Sequence, residues 1–385
     1  MRKRFAVCLA LLFMTLPSVC SQPVCSAESP PALKTVTETT LFQRGEGGYH
    51  AFRIPALIVS PEGTLLAFAE ARKNSLSDSG DIDLVLKRST DNGKTWSRME
   101  VIWNDGEHTC GNPCPVVDQS TGRIWLPLTW NDGRDHANQI KNRTGRNTRR
   151  VFMSYSDDDG VTWQKPYEIT DSTKKPEWTW YATGPGNGIQ LKLGPHKGRL
   201  VIPCDHNVTL DGKVVRRAHA IYSDDHGKTW QLSEPIGVKT NECAVVELAG
   251  GRLMMNMRSY HGKNRRAIAF SDDGGATWSE ETLDPALIEP VCQASLIRVS
   301  PPAEGKQGQL LFSNPASKKR DKMTVRLSRD EGATWSAARL VTPGKAAYSS
   351  LAMLKNGQVG LLYEQGGSQT IEFVVFDLKQ FTRGS

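Results

Sequence analysis

Hydrophobic residues recur along the chain in short runs that share one start signal, a glycine followed by an arbitrary residue. Each run is preceded by a second apolar segment, such as residues 56–59 before the run that follows Gly63. Paired apolar runs separated by turn residues predict antiparallel hairpins. The starting glycines, roughly 50 to 75 residues apart, are Gly63, Gly122, Gly198, Gly251, Gly308 and Gly357. Six hairpins at this spacing predict an all-β fold, a six-bladed β-propeller of four-stranded antiparallel blades.

A polar turn with the pattern Ser-x-Asp-x-Gly-x-Thr-Trp is repeated in step with these hairpins. Its five copies are residues 89–96, 156–163, 223–230, 271–278 and 328–335. The aspartate can accept hydrogen bonds from amides of its own turn and the glycine supplies a positive φ, so a structural role is predicted. The segment 36–43 precedes the first hairpin, and we expect it to complete the last blade.

The first 27 residues have a different character from the rest of the chain. Arg2, Lys3 and Arg4 precede an apolar run at 5–16 that is too short to span a bilayer, and small residues at 25–27 suit a cleavage site. We therefore expect a signal peptide at 1–27, a single propeller domain at 28–385, and a secreted, periplasmic or cell-surface protein. A lipid anchor at Cys20 is disfavoured by the preceding valine.

Charge and cysteine content narrow the classes of function. The formal net charge of +7 becomes about +4 without the three cations of the export segment (7 − 3). This small excess does not predict nucleic acid as a partner, and no stable membrane span is expected. Five cysteines remain outside the export segment. They are scattered, so neither a dense disulfide framework nor a zinc site is predicted. Pairing of Cys110 with Cys114 is left open.

Antiparallel hairpins place the start of the first strand and the end of the second strand at the same end of a blade. The polar turns come one strand later and should lie at the opposite end. Charged and polar residues collect at the first end: Arg53, Glu70, Arg72, Asn112, Asp132, Asp205, Glu242, Arg258, Gln293, residues 314–320, Tyr348 and Glu364. Such a set, drawn from every blade, predicts a functional site on that face of the central axis.

Two groups of these residues have distinct chemistry. Arg53, Arg258 and Arg320 suit a carboxylate, because a planar guanidinium can bond both of its oxygens; Glu364 could orient Arg53. Tyr348 is a poor nucleophile unless a base takes its proton, and Glu242 can be that base. A polar loop at 74–81 carries Asp78, which could act as an acid and base above a bound sugar.

The chain resembles the exo-α-sialidases, or neuraminidases, of the bacterial and animal six-bladed type. The resemblance covers residues 36–380 and rests on the five polar turns and on five short segments. These are Phe-Arg-Ile-Pro at 52–55, Leu-Leu-Ala-Phe-Ala-Glu-Ala-Arg at 65–72, Asn-Glu-Cys at 241–243, Asn-Met-Arg-Ser at 256–259 and Ala-Tyr-Ser at 347–349. The implied activity is hydrolysis of terminal sialic acids from glycoproteins, glycolipids and oligosaccharides.

The resemblance also implies a role for each site residue. The carboxylate-binding arginines fall on Arg53, Arg258 and Arg320, the nucleophile on Tyr348, its partner on Glu242, the acid/base on Asp78 and the orienting glutamate on Glu364. Arg72 and Asn112 match positions that contact the sugar around O4 and the N-acetyl group. Arg326 competes with Arg320 for the third arginine position, and Asp81 and Asp83 compete with Asp78.

A retaining mechanism through a tyrosyl intermediate follows from these roles, and it requires no metal or organic cofactor. Two alternatives remain: a transferase on the same scaffold (a trans-sialidase or an enzyme releasing an anhydro sugar) and a propeller that binds sialoglycans without cleaving them. Linkage preference, pH optimum and oligomeric state are not encoded in these motifs. Two further features stay open: an aromatic cluster (Trp178, Trp180, Tyr181) could form a sugar-stacking rim or be core, and the basic stretch 141–150 could be a solvated loop or contact anionic glycans.

Overall fold

The computed structural model describes residues 29–301 and 307–381, so the expected signal peptide lies outside the described residues. Strands dominate this part of the chain. They are β1 (Thr37–Gln43), β2 (Ala51–Val59), β3 (Leu65–Arg72), β4 (Ile82–Ser89), β5 (Glu100–Trp103), β6 (Thr109–Gly111), β7 (Val116–Val117), β8 (Ile124–Asn131), β9 (Arg150–Ser156), β10 (Tyr167–Glu168), β11 (Trp178–Thr183), β12 (Ile189–Gln190), β13 (Leu200–Leu210), β14 (Lys213–Ser223), β15 (Gln231–Leu232), β16 (Thr240–Glu247), β17 (Leu253–Ser259), β18 (Arg265–Ser271), β19 (Thr282–Ile288), β20 (Ser295–Ser300), β21 (Gln309–Pro315), β22 (Asp321–Ser328), β23 (Ala337–Met353), β24 (Val359–Gln365) and β25 (Thr370–Phe376). Two short helices, α1 (Ala137–Lys141) and α2 (Thr170–Thr173), and 3₁₀ turns at Glu46–Gly48, Ala249–Gly251 and Leu378–Phe381 lie between them.

The strands form six antiparallel blades around a central axis, which confirms the predicted β-propeller. Blade 1 holds β2 to β5, blade 2 holds β6 to β10, blade 3 holds β11 to β15 and blade 4 holds β16 to β19. The long strand β23 leaves blade 5 and becomes the inner strand of blade 6. Strand β1 pairs with β25, so the segment before the first hairpin completes the last blade as predicted.

Hydrophobic packing between neighbouring blades holds the ring together. Six clusters of buried residues lie at the six blade-to-blade interfaces of the described chain. The cluster between blades 6 and 1, for example, packs Phe373 of β25 against Leu57 of β2. Alternate residues of each strand therefore face one neighbouring blade or the other, which explains why most inner strands are buried on both faces.

The repeated polar turns are structural, as their hydrogen bonds show. In the third copy Ser223 Oγ donates to Asp225, and Asp225 accepts from both the amide and the hydroxyl of Thr229 at 2.9 and 2.7 Å. Gly227 has a φ of 83°. A Cβ atom on Gly227 would lie 2.2 Å from the Trp125 ring of the preceding blade. The turn thus closes one strand and seals two blades together.

Strand register separates these turns from the polar residues of the opposite end. Leu65, at the beginning of β3, lies opposite Ser89, where the first polar turn begins. Arg53 lies opposite Glu70 near the far end of the same hairpin. An apolar cavity of about 500 Å³ opens around the axis at the polar-turn end, and its walls include Val59, Val116 and Val245. The charged site lies at the other end.

Candidate active site

Irregularities in three inner strands carry residues of the candidate site. The pairing register shifts between Arg53 and Ala56 in β2, between Thr240 and Cys243 in β16, and between Ala346 and Ser349 in β23. These intervals contain Ile54, Glu242 and Tyr348. A bulge interrupts the alternation of a strand and redirects its side chains. The bulges therefore allow residues of blades 1, 4 and 6 to point toward the same space on the axis.

Tyr348, Glu242 and Arg258 form a hydrogen-bonded group at the centre of this space. The Tyr348 hydroxyl donates to Glu242 Oε1 at 2.5 Å. Arg258 Nη1 donates to Glu242 Oε2 at 2.8 Å and to the Tyr348 oxygen at 3.2 Å. Tyr348 is 5 % exposed and packs against Ile54 and Cys292. This packing fixes the ring while its oxygen remains between a carboxylate and a guanidinium.

Arg53 lies beside this group and is held from behind by Glu364. Its Nε is 3.2 Å from Glu364 Oε1, and its guanidinium carbon is 4.9 Å from the centre of the Tyr348 ring. Glu364 is 1 % exposed and also accepts a hydrogen bond from the Ile54 amide at 2.9 Å. The same carboxylate therefore holds both the arginine and the bulge that carries it.

Arg320 is the third arginine of the group and is the exposed member. Its guanidinium carbon lies 5.6 Å from the centre of the Tyr348 ring, and Nη2 donates to the Val291 carbonyl at 3.1 Å. Arg326, the competing residue, instead donates to Asn314 Oδ1 at 3.1 Å within blade 5. The structure therefore places Arg53, Arg258 and Arg320 around one tyrosine and leaves Arg326 apart from it.

The acidic loop after β3 brings Asp78 to the rim of the site. Asp78 Oδ1 lies 3.0 Å from Arg72 Nη1 and 3.5 Å from Arg53 Nη1. Arg72 is 2 % exposed and is paired with Glu70 at 2.6 Å. Asp83, by contrast, accepts hydrogen bonds from Tyr49 and Asn104 and does not contact the site arginines.

Asn112 lies deeper, where blade 2 meets the axis. Its backbone amide donates to Glu70 Oε1 at 2.9 Å, and its side-chain oxygen accepts a hydrogen bond from the Thr129 hydroxyl at 3.1 Å. Its φ is 53°, a left-handed conformation that asparagine tolerates better than most residues. Glu70 thus connects Arg72 with Asn112, so the two predicted sugar contacts belong to one hydrogen-bonded group.

Burial and charge set the protonation of the central residues. Burial raises the pKa of Tyr348 well above its ordinary value, and Glu242 adds to this, whereas Arg258 and Arg53 act in the opposite direction. Burial would lower the pKa of Arg53, but Glu364, Tyr348 and Asp78 raise it overall. The resting site therefore contains a neutral phenol between charged arginines and a carboxylate partner.

A buried ion pair beneath the site fixes the strands that carry its arginines. Arg266 and Glu289 are both 0 % exposed and lie 3.3 Å apart. Arg266 Nη1 also donates to the Cys292 carbonyl at 2.6 Å, and Glu289 accepts from the Ser259 amide at 2.9 Å. Because Ser259 follows Arg258 and Cys292 packs on the tyrosine ring, the pair holds two parts of the site in one geometry.

Some polar residues that the hairpin pattern places at this end of the axis have structural roles instead. Gln293 donates to the carbonyls of Pro185 and Ser349 at 3.1 and 2.9 Å and so joins strands around the axis. Asp132 pairs with Arg134 in the loop after β8. The five described cysteines that lie outside the export segment are unpaired and buried, including Cys110 and Cys114.

Two of the three residues in the aromatic cluster belong to the core rather than to a rim. Trp178 and Tyr181 are buried at 3 % and 0 % exposure, and Trp178 stacks on His206 with ring centres 3.4 Å apart. The pairing register of β11 shifts between Trp178 and Tyr181, so both of these residues pack into the core and Trp180 is only half-buried. Trp180 lies under the guanidinium of Arg149, whose carbon is 4.0 Å from a ring centre.

Three residues near the centre were not assigned a role from the sequence. Arg149 is 2 % exposed although it lies near the end of the stretch 141–150, for which a solvated loop was one expectation. Tyr260 accepts a hydrogen bond from Arg258 Nη2 at 2.6 Å. Asp205 is fully buried and receives a hydrogen bond from Asn241. Asp205 stands out only as a strand end, and nothing in the repeat pattern distinguishes Arg149 or Tyr260.

The central group of residues borders an open cavity. This cavity has a volume of about 460 Å³, and its walls include Arg53, Arg320 and Glu364. Within residues 29–301 and 307–381, no three histidine, cysteine, aspartate or glutamate side chains are grouped so that they could hold a metal ion. Over the same residues, no helix has the length and apolar character needed to cross a membrane.

Comparison with known proteins identifies relatives of this architecture. The BNR repeat-like domain matches residues 63–361. A sialidase of Micromonospora viridifaciens is 35% identical over 361 residues, which are 90% of this chain and 55% of that protein. A sialidase of Bacteroides fragilis is 36% identical, and this chain covers 61% of it. The chain thus spans somewhat more than half the length of these two relatives.

Other relatives match along nearly their whole length. Sialidase-2 of Cricetulus griseus is 32% identical over 89% of this chain and 95% of its own. Among solved structures, a Hadza microbial sialidase superimposes with a TM-score of 0.78 at 34% identity, over 88% of this chain and 68% of that chain. The coverage, the six blades and the shared domain lead to one assignment. The chain belongs to the sialidase family of glycoside hydrolases.

Proposed function

We propose that this protein is an exo-α-sialidase that removes terminal sialic acids from glycoproteins, glycolipids and oligosaccharides with retention of configuration. The observation that carries the proposal is the contact of Tyr348 with Glu242 and Arg258, at 2.5 and 3.2 Å. A propeller that only bound sialoglycans would not need a phenol hydrogen-bonded to a base. The expected export segment supports a secreted, periplasmic or cell-surface location.

The three arginines would bind the sugar carboxylate. Arg53, Arg258 and Arg320 all lie next to Tyr348, and the first two are also within reach of carboxylates of the protein. A substrate carboxylate would share these charges and orient the anomeric carbon over the phenol oxygen. Arg72 and Asn112, joined through Glu70, would contact the sugar around O4 and the N-acetyl group.

The substrate itself explains why a tyrosine suits the first step. Sialic acid carries its carboxylate on the anomeric carbon, so an anionic nucleophile would be repelled. Sialidases depart in this way from the two-carboxylate pattern of most glycosidases. Tyr348 would transfer its proton to Glu242 as its oxygen bonds to the anomeric carbon. Asp78 would protonate the leaving oxygen, and the glycosidic bond would break.

The second step reverses these roles. The Asp78 carboxylate formed in the first step would take a proton from water, and the water oxygen would attack the anomeric carbon. The bond to Tyr348 would break, and the phenol oxygen would recover its proton from Glu242. Two displacements at one carbon give net retention. Arg258 would stabilise the phenolate in both transition states, since it already donates to the phenol oxygen.

Proton NMR of the purified protein with sialyl-lactose tests this proposal. The expected first product is α-sialic acid, which then equilibrates with the β form in solution. An anhydro sugar, or sialic acid transferred to a second lactose, would contradict hydrolysis and indicate the transferase alternative. Early β-sialic acid would contradict retention. Saturable binding without turnover would contradict the catalytic assignment and indicate a sialoglycan-binding propeller.

A further inference from the structure

A second group of cations lies beside the candidate active site. Lys141 at the end of α1 and Arg149 before β9 both lie over the Trp180 rings, at 4.8 and 4.0 Å from a ring centre. Arg216 of β14 lies 4.4 Å from the centre of the Tyr260 ring. Helix α1, β9 and β14 belong to blades 2 and 3. Two aromatic side chains thus support three cations from three separate segments.

None of the three cationic side chains is in direct contact with a carboxylate of the described chain, although Glu70, Asp78 and Asp205 lie within electrostatic reach of Arg149. The side chains of Lys141, Arg149 and Arg216 make no hydrogen bond and no ion pair within residues 29–301 and 307–381. Arg149 is the most unusual, because it is 2 % exposed and its Nε is buried without a partner. The equally buried Arg266 instead bonds Glu289, Asn256 and Cys292. A buried guanidinium without acceptors is costly, so it points to an acceptor supplied by a ligand.

The cations are also close enough to affect each other. Burial, Arg216 and Arg149 lower the pKa of Lys141, while Asp205 and Asp78 act in the opposite direction. Burial lowers the pKa of Arg149 to about 10, so it remains charged at neutral pH. Asp205 does not neutralise this group by contact, since its described hydrogen bond is to Asn241 and its Oδ2 has no partner.

The cation group lies near the reaction centre. Arg149 and Lys141 lie within electrostatic reach of Asp78, the residue proposed to protonate the leaving oxygen. Tyr260, which supports Arg216, accepts a hydrogen bond from Arg258 at 2.6 Å. A ligand held by Arg258 could therefore extend directly to the second group.

We infer that Lys141, Arg149 and Arg216 form a second anion subsite, which binds an anionic group of the substrate other than the carboxylate held by Arg53, Arg258 and Arg320. This inference rests on the proposed function. The bound group is a carboxylate, sulfate ester or phosphate ester, carried by the cleaved sugar or by the next sugar. A neutral hydroxyl or amide would satisfy one donor and leave the remaining charges uncompensated.

Three fluorogenic substrates distinguish the sources of the second anion. They are 4-methylumbelliferyl sialoside, the same sialoside with a sulfate ester on its side chain, and the 4-methylumbelliferyl glycoside of a disialyl unit. Because removal of the outer sugar of the disialyl unit releases no fluorophore, initial release of the sialic acid is measured by chromatography for all three. We expect at least one two-anion substrate to exceed the simple sialoside in kcat/KM by about tenfold, a difference equivalent to one charge-assisted hydrogen bond. A preference for the sulfated sialoside places the anion on the cleaved sugar, and a preference for the disialyl unit places it on the next sugar.

Substitution of the cations tests their role. Arg149→Met and Lys141→Met should each lower the ratio of two-anion to one-anion kcat/KM several-fold, and methionine can retain the packing on Trp180. Arg143→Met is the matched control, since Arg143 lies in the same loop, is exposed, and donates to the Glu177 carbonyl. The control should leave the ratio unchanged.

The inference is overturned if the unaltered protein has a ratio of two-anion to one-anion kcat/KM near one. It is also overturned if Arg149→Met lowers kcat/KM for all three substrates by the same factor. Hydrolysis of the simple sialoside in that case would leave the proposed function intact. If no substrate is turned over, the proposed function fails. The subsite is then tested by calorimetric dissociation constants for the same three compounds, where the same ratio between two-anion and one-anion compounds is required.

Discussion

Tyr348 has unusual surroundings for an uncharged residue. Its oxygen contacts Glu242 and Arg258, and Arg53 and Arg320 lie near its ring at 4.9 and 5.6 Å from the centre. The carboxylate disfavours the phenolate in the resting protein, but the guanidinium groups favour any negative charge that develops on the oxygen. The same residue can therefore rest as a neutral phenol and react as a phenolate.

Asp78 leads to a prediction about pH. Partial burial would raise its pKa, but Arg72 and Arg53 hold it below the ordinary value in the free protein. A substrate carboxylate on Arg53 removes part of that effect, so the pKa of Asp78 should be higher in the complex. Because Asp78 must be protonated to act as the acid, kcat/KM should begin to fall at a lower pH than kcat. Both profiles are measured with an aryl sialoside. Coincident descending limbs would contradict this role for Asp78.

Asp205 leads to a prediction about stability. Burial, together with Glu242, raises its pKa to about 8, against the effects of Arg258, Arg149 and Lys141. In the unfolded chain the carboxyl ionises near its ordinary value of about 4. The contribution of the protonated Asp205 to the free energy of unfolding is therefore complete below about pH 4 and is lost as pH rises to about 8.

The variant Asp205→Asn removes this titration. Relative to the variant, the unaltered protein should lose a few kcal/mol in its free energy of unfolding between about pH 4 and pH 8. Urea unfolding of both proteins across this range measures the difference. The variant keeps an acceptor for Asn241, so its fold should be retained. Parallel stability curves would show that Asp205 is ionised in the folded protein at all these pH values.

At the level of strands, the functional side chains depend on local departures from regular pairing. Ile54 has a φ of 59° and Val291 a φ of 57°, which are unfavourable conformations for β-branched residues. Ile54 lies in the bulge that follows Arg53, and the Val291 carbonyl holds Arg320. Backbone strain thus coincides with the positions that aim two of the arginines.

The repeated polar turns give a prediction at this scale. Gly227 and Gly122 both have left-handed φ values, 83° and 79°. A Cβ on Gly227 would lie 2.2 Å from the Trp125 ring, whereas a Cβ on Gly122 would have no atom within 4 Å. Gly122→Ala should cost about 1 kcal/mol of backbone strain. Gly227→Ala should cost that amount and roughly 2 kcal/mol more from overpacking. Thermal unfolding of the two variants measures the difference, and equal losses would contradict a sealing role for the turn.

The sequence predicted regular features better than irregular ones. Hairpin spacing indicated the six blades, and strand direction indicated the end of the central axis where Arg53, Glu242 and Tyr348 meet. The sequence does not separate Trp178 and Tyr181 from Trp180, because a three-residue aromatic cluster does not reveal the register shift in β11 that turns the first two into the core. The burial of Arg149 could not be predicted, since the loop between β8 and β9 has no counterpart in the repeat. Arg149 is covered by packing on Trp180 of blade 3, which the loop sequence does not reveal.

Over the whole molecule, the ring brings together residues from distant parts of the chain. Arg53 and Glu364, at 3.2 Å, belong to the first and last blades, and β1 closes the ring by pairing with β25. Hydrophobic clusters at all six blade interfaces hold this arrangement. Each blade supplies a few side chains to one end of the axis, so the three central arginines and the tyrosine are positioned by closure of the ring.

The central claim, nucleophilic attack by Tyr348, is tested most directly by mass mapping of a trapped intermediate. A sialosyl fluoride with a second fluorine beside the anomeric carbon would slow both displacements and allow the covalent sugar to accumulate. Peptide mass spectrometry should then locate the sugar on the peptide containing Tyr348, and Tyr348→Phe should show no adduct while still binding sialic acid. An adduct on Glu242 or Asp78, or near-normal turnover by Tyr348→Phe, would contradict the mechanism.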